Sequence, residues 1–465
     1  MSKYQMYPEY KDSGVEWVGD IPTHWSAKPI KFLCTYNDEV INDSTDNNYE
    51  IEYVDIGSVS ASTGITKTET ICFSKAPSRA RRIVKDGDVI ISTVRTYLEA
   101  IAPINNPPSN MVVSTGFAVI RPTSELHKDF AAYCLRAKGF IKEVVARSVG
   151  VSYPAINASD LVNISIPFVS IDEQTQIATF LDHETVKIDT LIEKQQQLIG
   201  LLKEKRQAVI SHAVTKGLNP QAPMKDSDVE WLGDVPEHWG VLRLSRVGKV
   251  GQGCSFSHSI QGQTKGDIPW YKVMDMNTDG NEEYMNKSSN YINKKLASRI
   301  GAPIFPKGSI IFPRVGAALL TNKRRILSVD SIVDDNIYTF VSRKVKHRFA
   351  YRLLQLINME TLCSPGLVPT ITFSAINNIY IPLPSLAEQD NIIEYIDHKL
   401  SHIDLLIDKT NNAIKLSQER RTALISAAVT GKIDVRHFTL KDGIAPTTSI
   451  DTNEAAQEAA QEAMA

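Results

Sequence analysis

KDSGVEWVGDIPTHW, residues 11–25, returns as KDSDVEWLGDVPEHW at residues 225–239, with 11 of the 15 positions identical. A second duplication follows at nearly the same offset: residues 167–215 return as residues 382–430 in constant register. The stretches between the copies are unlike. A duplicated frame around two dissimilar inserts describes a scaffold that presents two different surfaces in one fixed relationship.

The second repeat opens on a helix-start signal in both copies. Ser170–Glu173 and Ser385–Glu388 each have the spacing of a capping box, in which Ser covers an orphan N–H and Glu reaches back to the cap. Pro167 and Pro382 lie just upstream, and the runs continue without proline to Gly217 and Gly431, residues suited to terminate them. Apolar residues recur at steps of three and four: Leu181, Ile188, Ile192, Ile199, Leu202 and Val209, then Ile396, Leu400, Ile403, Ile407, Ile414 and Leu424. That spacing is a coiled-coil seam, interrupted by Gln195 and Arg206 in one copy and by Thr410, Ser417 and Arg421 in the other, polar positions that set register. A run of about 46 residues at ~1.5 Å each makes a rod of roughly 70 Å. Each rod has an apolar stripe to cover and a near-copy of itself in the same chain. Mutual antiparallel packing about an approximate two-fold axis is the economical solution. Such a pair offers the same surface twice, and Glu173, Gln174, Glu388 and Gln389, polar in both copies, are the expected partner-binding residues.

At 465 residues the chain exceeds what one core serves, and its 42% hydrophobic and 22% charged composition is that of a globular protein. No apolar run reaches the ~20 residues that span a bilayer, and the first residues lack the layout of a secretory signal, so a cytoplasmic location without membrane contact is expected. The five cysteines are scattered without a CxxC pair, which points to neither a disulfide framework nor a zinc site. The net charge of −2 hides a gradient: residues 240–380 carry 19 Lys and Arg against 9 Asp and Glu, whereas residues 26–165 carry 15 of each. A block at +10 inside an acidic remainder suggests a polyanionic partner.

Each insert reads as short strands with turn punctuation and a few helices. Residues 88–92 follow a Lys-Asp-Gly turn and residues 309–312 a Pro-Lys-Gly turn, while residues 130–145 and 348–361 have helical spacing. Candidate phosphate and base contacts cluster here. In the first insert they are Lys75, Arg79, Arg81, Arg82, Lys85, Ser92, Thr93, Arg95 and Tyr97; in the second, Lys287, Lys294, Lys295, Arg299, Lys307, Arg314, Lys323, Arg324 and Arg325. Arginine forks suit guanine edges and phosphates, lysine chiefly phosphates. Arg95 and Arg314 stand out because each follows a strand at a matching place in its insert.

Signals for catalysis fail one by one. Asn106-Pro107-Pro108-Ser109 has Ser109 where an amino-methyltransferase loop needs an aromatic ring to stack a flipped adenine. Gly251-Gln252-Gly253 lacks the third glycine of a dinucleotide fingerprint, and no GxxxxGK[ST] loop is present. His398 and His402 are four apart on a helix but have no third ligand nearby. No catalytic residue, metal site or cofactor is expected in this chain.

Over residues 7–432 the pattern resembles the specificity subunit of Type I restriction–modification enzymes. The residues that carry the likeness are Val15-Glu16-Trp17, Ile21-Pro22, His24-Trp25, Ile166-Pro167 and Glu173-Gln174, with their second copies Val229-Glu230-Trp231, Val235-Pro236, His238-Trp239, Ile381-Pro382 and Glu388-Gln389. The resemblance implies an α+β fold: two globular α/β target-recognition domains separated by a pair of long antiparallel coiled-coil helices, in a pseudo-two-fold internal repeat. The expected divisions are residues 1–165 and 218–380 for recognition, 166–217 and 381–432 for the spacers, and 433–465 as a mobile tail. It further implies sequence-specific binding of double-stranded DNA, two modification (methyltransferase) subunits and restriction (nuclease and translocase) subunits as partners. S-adenosylmethionine, ATP and magnesium would belong to those partners. Two rivals remain from the residues alone: a coiled-coil interaction scaffold that binds no DNA, and a self-contained adenine methyltransferase.

Overall fold

In the computed structural model, which describes residues 4–60, 64–255, 261–364 and 366–439, each copy of the repeated 15-residue stretch is a tight antiparallel hairpin. Tyr10–Asp12 pairs with Asp20–Pro22, and Met224–Asp226 with Asp234–Pro236. The identical Asp-Ser pair explains the shared turn. Asp12 and Asp226 accept from the backbone N–H two residues on, and the Ser13 and Ser227 hydroxyls accept from Val15 and Val229. Gly14 and Asp228 both sit at positive φ, a conformation that Asp tolerates better than most residues because its side chain can bond locally. The hairpin ends in Trp25 or Trp239, both fully buried.

The chain divides into two compact units, Met1–Lys194 with Ala413–Ala465, and Gln195–Asn412. This differs from the division into inserts and spacers, because each long helix gives one half to each unit. The long helices span Ile171–Lys216 and Leu386–Val429. No helix among the described residues is long and apolar enough to cross a membrane.

In the first unit the insert enters on Ser26–Pro29 and leaves on Ser165–Phe168, and these two strands pair with each other. Inside lie two four-stranded sheets. One is antiparallel, in the order Ile101–Pro103, Val89–Ser92, Phe117–Pro122, Cys34–Tyr36. The other is mixed, in the order Glu69–Cys72, Glu50–Val54, Met111–Ser114, Ala80–Ile83, its middle pair parallel. The helical stretch expected at 130–145 is two helices, Lys128–Arg136 and Lys138–Ala146, broken at an extended Ala137. The periodicity continues across the break because both segments bury the same apolar face, with Phe130, Leu135 and Phe140 in one core.

The second unit repeats the plan. Gly240–Arg243 pairs with Tyr380–Leu383. Between them lie a five-stranded sheet, in the order Gly248–Gln252, Ile337–Ser342, Ile310–Pro313, Arg325–Leu327, Tyr284–Met285, and a three-stranded sheet around Ile268–Tyr271. The helix here is His347–Leu356, shorter than the expected 348–361 because the chain turns extended at Ile357.

Within each unit the helix halves pack through the seam. In the first, Ile177, Leu181 and Ile188 share a core with Leu424, Ile425 and Val429. In the second, Leu202, Ile210 and Val214 share one with Ile396, Leu400 and Ile403. Ile192, Ile199, Val209, Ile407 and Ile414 are only half-buried. The polar interruptions Arg206 and Arg421 have a definite use. Arg421 Nε donates to Asp189 at 2.8 Å in the first unit, and Arg206 Nε lies 3.4 Å from Asp404 in the second. Asp189 and Asp404 are 215 residues apart, as are Arg206 and Arg421, so one cross-helix pair is made twice. Both carboxylates are half-exposed, so each pair adds little stability.

The expected mobile tail is overturned at its start. Ile433 and Val435 are buried, Phe438 packs edge-on against Phe180 at 5.1 Å, and Gln176 donates to the Arg436 carbonyl at 3.0 Å. Residues 440–465 lie outside the described residues.

Candidate nucleic-acid interface

The strand Val89–Ser92 and its counterpart Ile310–Pro313 each run into a loop that is wired to a second segment in the same way. In the first unit Thr93 N donates to Gly116 O, Ile156 N donates to Thr93 O at 2.9 Å, and Val94 bridges Ala155. In the second, Arg314 N donates to Asn336 O, Ile371 N donates to Arg314 O at 2.9 Å, and Val315 bridges Thr370. Arg314 is therefore the counterpart of Thr93, not of Arg95. The residue equivalent to Arg95 is Gly316, and both have positive φ, 51° and 77°. The matching place expected for the two arginines is thus off by two residues.

In the first insert Lys75, Arg79, Arg95 and Tyr97 are exposed. Arg79 leans on its own unit, donating to the Tyr53 hydroxyl at 3.1 Å beside Asp55. Lys85 is exposed but donates to Glu39, and Arg81 is half-buried over the Phe73 ring, 3.5 Å from Asp43. Arg82 is half-buried, its Nε without a hydrogen-bond partner among the described residues, and burial lowers its pKa. Ser92 and Thr93 are corrections: Ser92 is buried and donates to Val94 O at 2.6 Å, while Thr93 donates to Gly116 O at 2.9 Å. They brace the turn.

In the second insert Lys294, Lys295 and Arg299 line one short exposed helix, and Lys307 and Lys287 are also exposed, the latter donating to Asp279 O. Arg314 is half-buried, its Nε donating to Asp335 O at 2.6 Å and its guanidinium 5.6 Å from the Tyr338 ring centre. Lys323 donates to Asn277, and Arg325 donates to the Arg324 and Met276 carbonyls. Arg324 overturns the expectation outright. It is 1% exposed, donates once, to Ile357 O at 2.7 Å, and burial brings its pKa down to about 10. Its Nε and Nη1 have no hydrogen-bond partner among the described residues. Replacing such a buried, under-partnered cation with an apolar residue of similar length is often neutral or stabilising. Arg324→Met is expected to leave the unfolding free energy within about 1 kcal/mol of the parent or above it, with duplex affinity and its salt dependence unchanged. A shallower salt dependence in a binding titration would return Arg324 to the DNA.

Residues 148–155 escaped the sequence reading. They form a turn beside the 93–99 loop, with Val149 and Val151 81% and 102% exposed. Tyr153 is also exposed, its ring centre 4.8 Å from the Arg95 guanidinium. The corresponding segment of the second unit exposes Leu367 and Val368. The available signal was valine, tyrosine and leucine packed around glycine and proline, which reads as an ordinary turn until exposure is known. Among the described residues no cluster of three or more His, Cys, Asp or Glu could hold a metal, and His398 and His402 stand alone with their Nε2 atoms 3.3 Å apart.

Residues 22–199 and 236–416 match the family described as Type I restriction modification DNA specificity domain, so the doubled architecture coincides with a doubled family match. The chain belongs to that family. It is 24% identical over 466 residues, covering 93% of this chain and 99% of the relative, to the putative type I restriction enzyme MjaX specificity subunit of Methanocaldococcus jannaschii. It is 22% identical over 325 residues, 66% of this chain and 70% of the relative, to the type I restriction enzyme EcoDI specificity subunit of Escherichia coli. Among solved structures, a chain of a type I R-M system, from a study of complex assembly and conformational transition, superposes with a TM-score of 0.70 at 20% identity, covering 89% of this chain and 99% of that one. The HsdS subunit from Thermoanaerobacter tengcongensis superposes with a TM-score of 0.51 at 21% identity, over 89% and 98%.

The four residues expected to meet partners of this Type I specificity chain point inward. Glu173 is buried and accepts from the Tyr7 hydroxyl at 2.6 Å and the Trp25 indole at 3.1 Å, with His24 Nε2 at 3.0 Å. Burial and that carboxylate push the Tyr7 pKa up. Glu388 accepts from Trp239 at 2.9 Å, with His238 at 3.1 Å. The capping box is therefore only half made: Ser170 and Ser385 accept from the Glu173 and Glu388 N–H, while the carboxylates turn to the hairpin. Gln174 and Gln389 are wholly buried, their carbonyls accepting from His127 N and Lys346 N. The other side of each hairpin seats a helix end. A side chain at Gly431 would press to 2.3 Å of Pro22, and one at Gly217 to 3.2 Å of Trp239. Each hairpin thus clamps the start of one long helix to the end of the other.

Proposed function

We propose that this chain is the DNA-recognition subunit of a Type I restriction–modification complex, in which each insert reads one half of a split, asymmetric duplex sequence. It works in the cytoplasm and has no catalysis of its own. Two modification subunits bind the duplicated helices, and restriction subunits complete the assembly. S-adenosylmethionine, ATP and magnesium are held by those partners. The observation that carries this reading is one loop in each insert, entered at Thr93 and at Arg314, held by the same backbone bonds under unlike exposed side chains. It is what a pair of readers for two different half-sites needs. The partner surface is supported by exposed leucines that recur at the 215-residue offset, Leu191 with Leu406 and Leu201 with Leu416. Each unit holds one of each pair.

Titrating the purified chain, alone and with modification subunits, against duplex over a salt series tests the reading. Phosphate contacts give a log–log slope near −0.9 per neutralised phosphate, and the expected slope is steep, about −4 or beyond. No salt-dependent binding would leave a scaffold that does not touch DNA. Methyl transfer by the chain alone would make it an enzyme.

A further inference from the structure

Residues 93–99 and 148–155 make one platform on the first insert. Its backbone is over-determined. Beyond the shared bonds, Thr96 N donates to Pro154 O, and the Thr96 and Ser148 hydroxyls are 2.8 Å apart. Yet Arg95 and Glu99 both occupy the left-handed region, φ 51° and 53°, where a non-glycine residue is strained. Such strain persists only where the surroundings enforce it, and it gathers at functional sites. The second unit has Gly316 in place of Arg95, so the fold is satisfied by glycine there. Arginine at this position answers to something other than folding.

We propose that Arg95, steadied on Tyr153 and flanked by Val149 and Val151, reads a guanine in the major groove of one half of the DNA target. The reading rests on the DNA-recognition function above and assigns it to a residue. Stacking occupies the guanidinium face with the tyrosine ring. Its N–H edge donates to no group among the described residues, which leaves the fork that matches guanine O6 and N7. Valine methyls suit the thymine methyl beside it. A phosphate contact fits less well, because Glu99 is exposed on the same loop and the insert's charges balance at 15 of each sign. The corresponding platform of the second unit, with Gly316, Leu367 and Val368, reads its half without this contact.

The test is methylation of a randomised duplex library by the chain assembled with its modification subunits, followed by sequencing of the modified molecules. Parent, Arg95→Lys and Arg95→Gly are compared, with thermal melting of each. Lysine keeps the charge and loses the fork; glycine relieves the strain. Arg95→Lys is expected to melt like the parent and Arg95→Gly no lower than it, and both to lose preference for guanine at one position of one half-site, on the order of ten- to a hundred-fold. The other half-site stays unchanged. An unchanged motif, or a uniform weakening across all sequences, overturns the assignment and makes Arg95 a backbone contact at most. If the parent itself selects no motif, the recognition function fails, not this residue alone.

Discussion

Exchanging residues 26–165 for the corresponding insert of another family member is expected to replace one half of the methylated sequence and leave the other half intact. The graft has a natural seam. Ser26–Pro29 and Ser165–Phe168 pair side by side, so the insert enters and leaves on one two-stranded ribbon. One contact from the frame uses backbone, Trp17 Nε1 donating to the Ser165 carbonyl at 3.0 Å, and a grafted insert must also supply an apolar helix face like that of Phe130 and Phe140 for the core it shares with Trp25 and Leu181. The effect is all-or-none at the exchanged half-site, since a single mismatched pair already costs about 1–3 kcal/mol and several mismatches exclude the old site. Sequencing of modified DNA reads the result. A change in both halves, or in neither, would show that the inserts do not read DNA separately.

Glu173→Ala is expected to lower the stability of the first unit by about 2–5 kcal/mol, the cost of leaving two buried donors unsatisfied. The alanine leaves the Tyr7 hydroxyl and the Trp25 indole without the acceptor they share. Glu388→Ala provides the control. Its carboxylate is 29% exposed against 8% for Glu173, so water can replace part of what is lost. The expected cost there is about 1–2 kcal/mol. Hydrogen exchange over residues 4–30 and 224–245 separates the two: exchange should quicken far more in the first segment of Glu173→Ala than in the second of Glu388→Ala. Equal acceleration would mean that the clamp holds by shape alone.

The frame was legible because its signals are repetitive and local. The seam Leu181–Ile188 and its copy Ile396–Leu400–Ile403 are buried as their spacing requires, and Gly217 and Gly431 stand where the helices stop. What escaped depends on distance in space. Glu173 has the spacing of a capping residue, but a tryptophan 148 positions earlier takes its carboxylate. Nothing in the run Lys323-Arg324-Arg325 marks the middle residue as the one that faces the core, because the strand Arg325–Leu327 starts inside it. Arg95 and Arg314 looked equivalent by distance from a strand, and the hydrogen bonds to Ile156 and Ile371 show a shift of two. Exposure decided the rest: Val149 and Val151 read as turn filler in a sequence and stand open to solvent in the fold.

The first unit's core holds Leu424, Ile425, Ala428, Val429, Ile433 and Val435 alongside Trp25 and Phe130. A ribosome delivers those six residues only after all of Gln195–Asn412 has emerged. The unit begun first is therefore completed last, and its nascent apolar face must wait uncovered while the other closes. Long-range closure of this kind is slow and exposes the chain to aggregation, so translation speed and chaperone supply should govern yield more than the finished protein's stability does.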